Sequence, residues 1–393
     1  MKQVVIVGGS AAGVAIVEAL LPRGEFEFTF FLADDCLPYS RERIVDLVAP
    51  EGPADRGEIK PKSFFAQPAV RVIFQQTISR INFKRRKIFT EAKEQIDFDI
   101  LILTEMTAPV WPQARGRNKT GVYHASRLSQ ARVLAEALPS VETIVIESEF
   151  LSDLALAAAL SRRKKEVLLF VPSAGWTTAL SEEHLKWLKS LLGNSGIRLW
   201  ENEAIEEILG DTEVKAVRLK SAKKVLASQA VIFSTPFEDL RPIEQTELSL
   251  DTTVIVSGRM RASVENVFGL DRMIWPKGNL QSASFLTPDV LWQAQTVVQE
   301  ISSDLALNPL SRPLSVFSFS IAETTFDMIG CLPAGLKPAE AIFDPIAGSL
   351  CLVFAVEGQV VGVCLINLRK DFDKFLRFVQ QRVNLIEVRD QLT

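Results

Sequence analysis

The clearest apolar pattern lies at the start of the chain, where a β-branched run from Val4 to Val7 leads directly into Gly8. Such a continuous run is typical of a strand buried on both faces of a parallel sheet. Small residues follow as far as Gly13, and the apolar positions from Val14 to Leu21 then predict a helix. The pattern therefore predicts a strand, a glycine turn and a helix. This is the start of a βαβ unit whose turn amides and helix N-terminus receive a diphosphate.

The glycine turn carries the first candidate binding residues. Its G-x-G-x-x-G spacing is met at Gly8 and Gly13, and Ser10 stands at the middle position, where its side chain narrows the approach to a phosphate without closing it. A second strand is predicted from Phe26 to Leu32. An acidic residue roughly 20 positions past the turn is placed to bind a ribose hydroxyl. The candidate dinucleotide contacts are Gly8, Gly9, Ser10, Ala11, Ala12, Gly13, Asp34 and Asp35.

Two other interpretations of this segment compete with nucleotide binding. A secretory signal peptide is opposed by Glu18, which interrupts the apolar stretch, and by the second strand, which follows without a cleavage-like break. A glycine turn that packs and binds nothing stays open as an alternative.

Further strands and a second βαβ unit follow along the chain. Three short strands, which predict a meander, precede a returning strand from Phe98 to Leu103. The second unit begins at Val141, and Val231 to Ser234 is expected to return the chain to the first unit. The predicted meander strands are Val70 to Phe74, Ile78 to Phe83 and Ile88 to Thr90. The predicted elements of the second unit are a strand from Thr143 to Ile146, a helix from Leu151 to Leu160 and a strand from Val167 to Val171.

Composition narrows the class of protein. With 393 residues, of which 23% are charged, the chain is long enough for two or three globular domains, and its net charge of −4 opposes a general nucleic-acid binder. Glu18 and Glu357 interrupt the longest apolar runs, so no membrane span is predicted. The four cysteines have neither C-x-x-C nor metal-site spacing. We therefore expect reduced thiols, a cytoplasmic location and no metal site.

Three segments, in this order, carry a resemblance to a known family: Gly8 to Gly13, Leu37-Pro38-Tyr39-Ser40-Arg41, and Phe98 to Leu103. The chain resembles the FAD-dependent pyridine nucleotide–disulfide oxidoreductase family. Within it, the chain is most similar to the branch of NADH:rubredoxin reductases, ferredoxin reductases and the flavin part of NADH-dependent nitrite reductases. The resemblance implies FAD as cofactor and adds Arg41 to the candidate FAD contacts.

The resemblance also implies a fold and a division into domains. The implied fold is α/β, with two Rossmann-like dinucleotide-binding domains, one inserted in the other, and a C-terminal α+β interface domain. The FAD-binding domain would comprise residues 1–110 and 232–312. A degenerate NAD(P)H-binding-like domain would comprise residues 111–231, and a C-terminal interface or dimerisation domain residues 313–393.

The second nucleotide turn departs from the family pattern. Glu147, Glu149 and Ser152 stand where the family carries its three glycines. Like charges a few ångströms apart in a poorly screened crevice cost on the order of several kcal/mol, so two carboxylates there would oppose a diphosphate. The strand end at Val171-Pro172-Ser173 offers neither a ribose-binding acid nor an arginine. NAD(P) is therefore not expected as a cofactor.

The segments that align with the family's other FAD-binding motifs also differ from the family pattern. The family's Ala-Thr-Gly falls at Thr104-Glu105-Met106, and its lysine beside the flavin falls near Asp46. The family's Gly-Asp pair falls at Asp271-Arg272. Asp271 could replace the aspartate if the turn is one residue shorter, or Arg272 could face the FAD diphosphate. No cysteine pair lies on the flavin helix, which excludes disulfide-reductase chemistry. No catalytic residue is identified.

Three functions compete. The first is an FAD-bearing electron carrier that exchanges electrons with a protein partner or within a larger complex and uses no free NAD(P)H. The second is a non-catalytic structural or regulatory subunit that keeps the flavoprotein fold. The third is an NADH-dependent reductase with an unusual nicotinamide turn. A homodimer through the C-terminal domain is expected by analogy with the family.

Overall fold

The structure of the protein is a computed structural model in which most of the chain is described. The described residues are 1–39, 42–50, 59–148, 150–172, 175–234, 238–251, 253–274, 288–302, 314, 316–330, 332 and 337–392.

A parallel five-stranded sheet carries the N-terminal glycine turn. Its central strand is buried from Val4 to Val7, which explains the uninterrupted apolar run. Val4 and Ile6 face a pair of packed helices, α1 (Ala11–Leu20) and α7 (Pro288–Ser302). In spatial order, the strands are β16 (Val267–Gly269), β7 (Ile100–Leu103), β1 (Lys2–Val7), β2 (Phe26–Leu32) and β3 (Val70–Phe74).

An antiparallel meander covers the other face of this sheet. Its Ile81 and Ile88 pack with Val5 and Val7 of β1. One strand expected in the meander, β3, instead joins the parallel sheet beside β2. A short apolar run fits either sheet, and the pairing decides between them. The meander strands are β4 (Ile78–Asn82), β5 (Lys87–Thr90) and β6 (Gln95–Asp97), and two short helices, α2 (Glu42–Val48) and α3 (Lys62–Phe65), precede β3.

A second parallel five-stranded sheet forms the middle of the chain. The strand that was expected to return to the first unit lies inside this sheet, where Val231 and Phe233 are fully buried. In spatial order, its strands are β11 (Ile197–Glu201), β10 (Glu166–Val171), β9 (Thr143–Ser148), β15 (Ala230–Ser234) and β8 (Val122–His124). Its helices are α4 (Leu128–Ala137), α5 (Leu154–Arg162) and α6 (Glu182–Asn194), and a small antiparallel sheet contains β12 (Ile205–Leu209), β13 (Ala216–Leu219) and β14 (Val225–Ala227).

An antiparallel five-stranded sheet with two helices forms the C-terminal region. Phe375, Phe378 and Val379 pack the first of these helices against the sheet. In spatial order, the strands are β17 (Val316–Ile321), β18 (Thr324–Gly330), β21 (Gln359–Ile366), β20 (Ser349–Val356) and β19 (Glu340–Asp344), and the helices are α8 (Phe372–Gln380) and α9 (Leu385–Leu392).

The three regions share one apolar core at the position of α2 and α5. Val48, Leu154 and Ile321 belong to this core, one from each region. Arg163, at the end of α5, donates hydrogen bonds to the carbonyls of Val48 (2.6 Å) and Ala49 (3.0 Å). The expected α/β class, with two Rossmann-like units and a C-terminal α+β region, is confirmed. Among the described helices, none has the length and apolar character needed to cross a membrane.

Candidate functional site: two closed nucleotide turns

The N-terminal turn is packed against the end of the neighbouring strand β7. Gly8 has a φ of +109°, and a Cβ on it would lie 2.3 Å from Glu105 Cγ and 2.4 Å from Thr104 Oγ1. Glycine is therefore required at this position because the chain's own residues approach it so closely. Gly13 has a different role: a Cβ there would lie 2.8 Å from Ile6, so its absence lets α1 approach β1.

One backbone amide of the turn binds a carboxylate of the protein itself. The Gly9 N–H donates a hydrogen bond to Glu105 Oε1 at 2.9 Å. Glu105 is buried, and it is the middle residue of the Thr104-Glu105-Met106 segment that aligns with the family's Ala-Thr-Gly. Ser10 is also buried, and no hydrogen-bond partner of its Oγ lies among the described residues. The turn thus presents its Gly9 amide to an internal anion.

Glu105 belongs to a buried group of four charged side chains, which we call the four-residue cluster. It consists of Glu105, Arg127, Glu238 and Arg272, whose side chains are each less than a tenth exposed. Arg127 lies between the two glutamates, with Nη1 3.5 Å from Glu105 Oε1 and Nη2 3.5 Å from Glu238 Oε2. Arg272 Nε lies 2.8 Å from Glu238 Oε1. Burial alone would lower the pKa of Arg127, but the carboxylates of Glu105 and Glu238 raise it above its ordinary value, so the guanidinium stays charged.

Backbone groups complete the cluster. The Met106 N–H donates to Glu238 Oε2 at 3.1 Å, and Arg127 Nη2 donates to the Met106 carbonyl at 2.9 Å. Buried charges of this kind are stable only when paired and hydrogen-bonded. The sequence analysis did not identify Arg127 or Glu238, which lie in no motif. The available signal was Glu105, because an acid at the family's threonine position, at the end of a buried strand, needs a nearby cation.

The two candidate ribose-binding acids both face α4. Asp34 is buried, and its Oδ2 accepts hydrogen bonds from the Tyr39 hydroxyl at 2.6 Å and the Leu128 N–H at 3.0 Å. Its Oδ1 accepts a hydrogen bond from the Ser129 hydroxyl at 2.5 Å. Asp34 thereby caps the N-terminus of α4, where a negative charge is favoured by the helix dipole. The more exposed Asp35 pairs with Arg132 of the same helix at 2.9 Å.

The segment that aligns with the family's Gly-Asp pair, Asp271-Arg272, contacts α7. Asp271 adopts a left-handed φ of +52°, the conformation that favours glycine, and its N–H donates to Gln293 Oε1 of α7 at 2.8 Å. Arg272 follows it and turns toward Glu238. Among the predicted contacts, Arg41 lies outside the described residues.

Carboxylates also stand at the second nucleotide turn, after β9. Glu147 Oε2 accepts a hydrogen bond from the Ile205 N–H at 2.5 Å, which directs it toward β12. Asp153, buried at the start of α5, accepts a hydrogen bond from the Ser148 hydroxyl. Burial raises the pKa of Asp153 to about 6, and hydrogen bonds from Ser148 and Ser234 oppose the shift. Glu149, also predicted at this turn, lies outside the described residues.

Comparison with known proteins identifies the family. A family model described as pyridine nucleotide-disulphide oxidoreductase matches residues 2–271. The chain belongs to this family. The expected resemblance is therefore confirmed.

Two curated relatives from Bacillus subtilis (strain 168) are each 19% identical to the chain. One is an assimilatory nitrate reductase electron transfer subunit, similar over 68% of this chain and 35% of its own length. The other is a nitrite reductase [NAD(P)H], similar over 98% of this chain and 48% of its own length. The chain thus spans less than half the length of both.

Among solved structures, the covalent putidaredoxin reductase–putidaredoxin complex contains a chain similar to this one. It superposes with a TM-score of 0.81 at 15% identity, over 98% of this chain and 94% of the other. At this identity, the similarity shows the shared fold.

FAD is the cofactor expected from the family, and its diphosphate would need the free amides of the first turn. The Gly9 amide that would face the diphosphate already binds Glu105, and the two guanidinium groups of the four-residue cluster are already paired with carboxylates. Asp34, a candidate for the ribose, is committed to α4. With the side chains in these positions, the turn does not fit a diphosphate.

Proposed function

We propose that this chain works with a protein partner, as a subunit that takes no hydride from free NAD(P)H. The observation that carries the proposal is Asp153, a buried carboxylate at the start of α5 in the second nucleotide turn. In a dinucleotide-binding unit, the helix at this place receives the diphosphate.

The charge at the second turn opposes NAD(P)H. Above its pKa of about 6, Asp153 is ionised in a buried site, and a diphosphate would add two further negative charges beside it. Glu147, held by the Ile205 amide, adds another carboxylate at the end of β9. These contacts support the sequence-based expectation that NAD(P) is not used.

The comparisons support a protein partner. One relative is named as an electron transfer subunit, and the similar solved structure is a reductase joined to putidaredoxin. By this analogy, the partner would be a redox protein or a larger redox complex. Pairing of two copies through the C-terminal region and a cytoplasmic location stay predictions from the sequence.

The proposal has two forms, which differ in the cofactor. The FAD-bearing electron carrier is favoured by the Gly8–Gly13 turn and by Ser10, whose buried Oγ has no partner among the described residues. The non-catalytic subunit is favoured by Glu105, which binds the Gly9 amide. Neither form needs a nicotinamide site.

Calorimetric titration with NADH and NADPH at about pH 7.5 tests the proposal. We expect no binding up to about 1 mM, a free energy weaker than about −4 kcal/mol. The Glu147→Gly, Asp153→Gly double variant should bind NADH measurably, because it removes both carboxylates from the turn. Glu213→Gly, an exposed change in the β12–β13 connection, serves as the control. A dissociation constant in the micromolar range for the unaltered protein would overturn the proposal.

A further inference from the structure

We propose that the first nucleotide turn is filled by the chain's own anions: Glu105 and Glu238 take the places of the two charges of a diphosphate, and the folded chain binds no FAD. This inference deepens the proposed function, on which it rests, by selecting its cofactor-free form. It concerns the first turn, whereas the proposed function rests on the second.

Glu105 lies where a phosphate oxygen of a bound dinucleotide is expected. Glu105 Oε1 lies 2.9 Å from the Gly9 nitrogen, the distance at which a phosphate oxygen would accept the same hydrogen bond. A diphosphate on this amide would have to occupy the volume of that carboxylate. The backbone of the turn also lies close to these residues, because a Cβ added to Gly8 would lie within 2.4 Å of Glu105 and Thr104 atoms. The space that a bare glycine would offer to a ligand is taken by the end of β7.

The positive and negative side chains of the four-residue cluster pair with each other. Its two guanidinium groups are the natural partners of a diphosphate, yet Arg127 lies between Glu105 and Glu238, and Arg272 pairs with Glu238. Two positive and two negative side chains therefore balance before any ligand arrives. A diphosphate would bring two further negative charges into a buried site, and Glu105 and Glu238 would have to leave their partners to admit it.

Asp34, the buried one of the two candidate ribose acids, and Arg272 both contact other parts of the chain. Both carboxylate oxygens of Asp34 accept hydrogen bonds from the protein, two of them from the start of α4. Arg272 stands at the second position of the family's Gly-Asp pair, and its side chain points to Glu238. The three departures act together. Glu105 lies where a phosphate oxygen is expected, Arg272 stands where the family has an acid, and Asp34 caps α4.

The experiment is an FAD titration of the purified chain, followed by flavin fluorescence quenching and by the shift in thermal unfolding temperature. We expect no saturable quenching and no stabilisation up to about 100 μM FAD. The Glu105→Gln, Glu238→Gln variant keeps the side-chain volumes, removes both carboxylate charges and leaves Arg127 and Arg272 to bind the diphosphate. Its affinity for FAD should exceed that of the unaltered chain by at least about tenfold, or 1.4 kcal/mol. Glu265→Gln, at an exposed site, is the matched control.

Each outcome bears on the inference. FAD retained through purification, or bound by the unaltered chain with micromolar affinity, would overturn it. An unaltered chain without FAD and a folded double variant without any gain would also overturn it, because the carboxylates would then not be what closes the turn. The unaltered chain tests the claim even if the double variant fails to fold. A chain that holds FAD but binds no NADH would contradict this inference and leave the proposed function intact.

Discussion

The carboxylate of Glu105 lies 2.9 Å from the backbone nitrogen of Gly9, inside the turn that the glycine spacing marks for a diphosphate. At the second turn, the carboxylate of Asp153 lies at the start of the equivalent helix. The chain has thus kept the architecture of a two-dinucleotide protein and placed a negative charge of its own at both binding turns.

Glu105→Ala should lower the free energy of unfolding by about 3 kcal/mol, because it leaves the buried Arg127 with one carboxylate fewer and the Gly9 amide without its acceptor. Urea unfolding followed by circular dichroism measures the change. The exposed control Glu265→Ala should cost less than about 0.5 kcal/mol. Equal effects of the two substitutions would contradict the structural role of Glu105.

Gly8→Ala should destabilise the protein far more than Gly24→Ala. Both glycines have positive φ, so each substitution carries a backbone cost of about 1–2 kcal/mol. At Gly24 nothing lies within 4 Å of the added Cβ, whereas at Gly8 it meets Glu105 and Thr104 at 2.3 and 2.4 Å. Overpacking should therefore add about 1–3 kcal/mol at Gly8 alone. Thermal unfolding of the two variants compares them directly, and similar unfolding temperatures would show that Glu105 does not press on the turn.

Asp153→Asn should change how stability depends on pH. The folded state raises the pKa of Asp153 from 3.8 to about 6, so between these values the folded chain holds a proton that the unfolded chain has lost. Stability from this group is therefore present at low pH and falls as pH rises toward 6, by about 3 kcal/mol in total.

The asparagine variant keeps an acceptor for Ser148 and removes the titration. It should match the unaltered protein near pH 4 and be more stable, by up to about 3 kcal/mol, near pH 7.5. Denaturant unfolding across this range provides the measurement. A difference between the two proteins that is the same at both ends of the range would refute the prediction.

Asp34→Ala should cost about 1–2 kcal/mol, because it removes the cap of α4 and leaves the Leu128 amide without its acceptor. The neighbouring Asp35→Ala removes only an exposed pair with Arg132 and should cost less than about 1 kcal/mol. Chemical denaturation distinguishes them. If Asp35 proves the more costly of the two, the assignment of Asp34 as the cap is wrong.

The sequence predicted most of the framework because the strands of parallel sheets are continuous apolar runs. The predicted strands from Phe26 to Leu32 and from Val70 to Phe74 match β2 and β3 residue for residue. Periodicity does not say which sheet a short run joins, and so β3 was assigned to the meander and β15 to the first unit. Pairing between distant segments decides both cases.

The candidate site was predictable only in part, for a related reason. The glycine turn and Glu147 of the second turn stand in local motifs, so their positions could be inferred, whereas Asp153 stands outside the motif and was not predicted. Arg127 and Glu238 are brought to Glu105 by tertiary folding across 22 and 133 positions of the chain. Asp34 has the expected spacing for a ribose contact, and only the structure places the start of α4 on its carboxylate.

The most direct test of the closed first turn is the visible absorption spectrum of the purified chain after incubation with excess FAD and removal of unbound cofactor by gel filtration. Our account predicts a protein fraction without flavin bands. A fraction that carries about one flavin per chain would contradict it and would favour the FAD-bearing form of the proposed function.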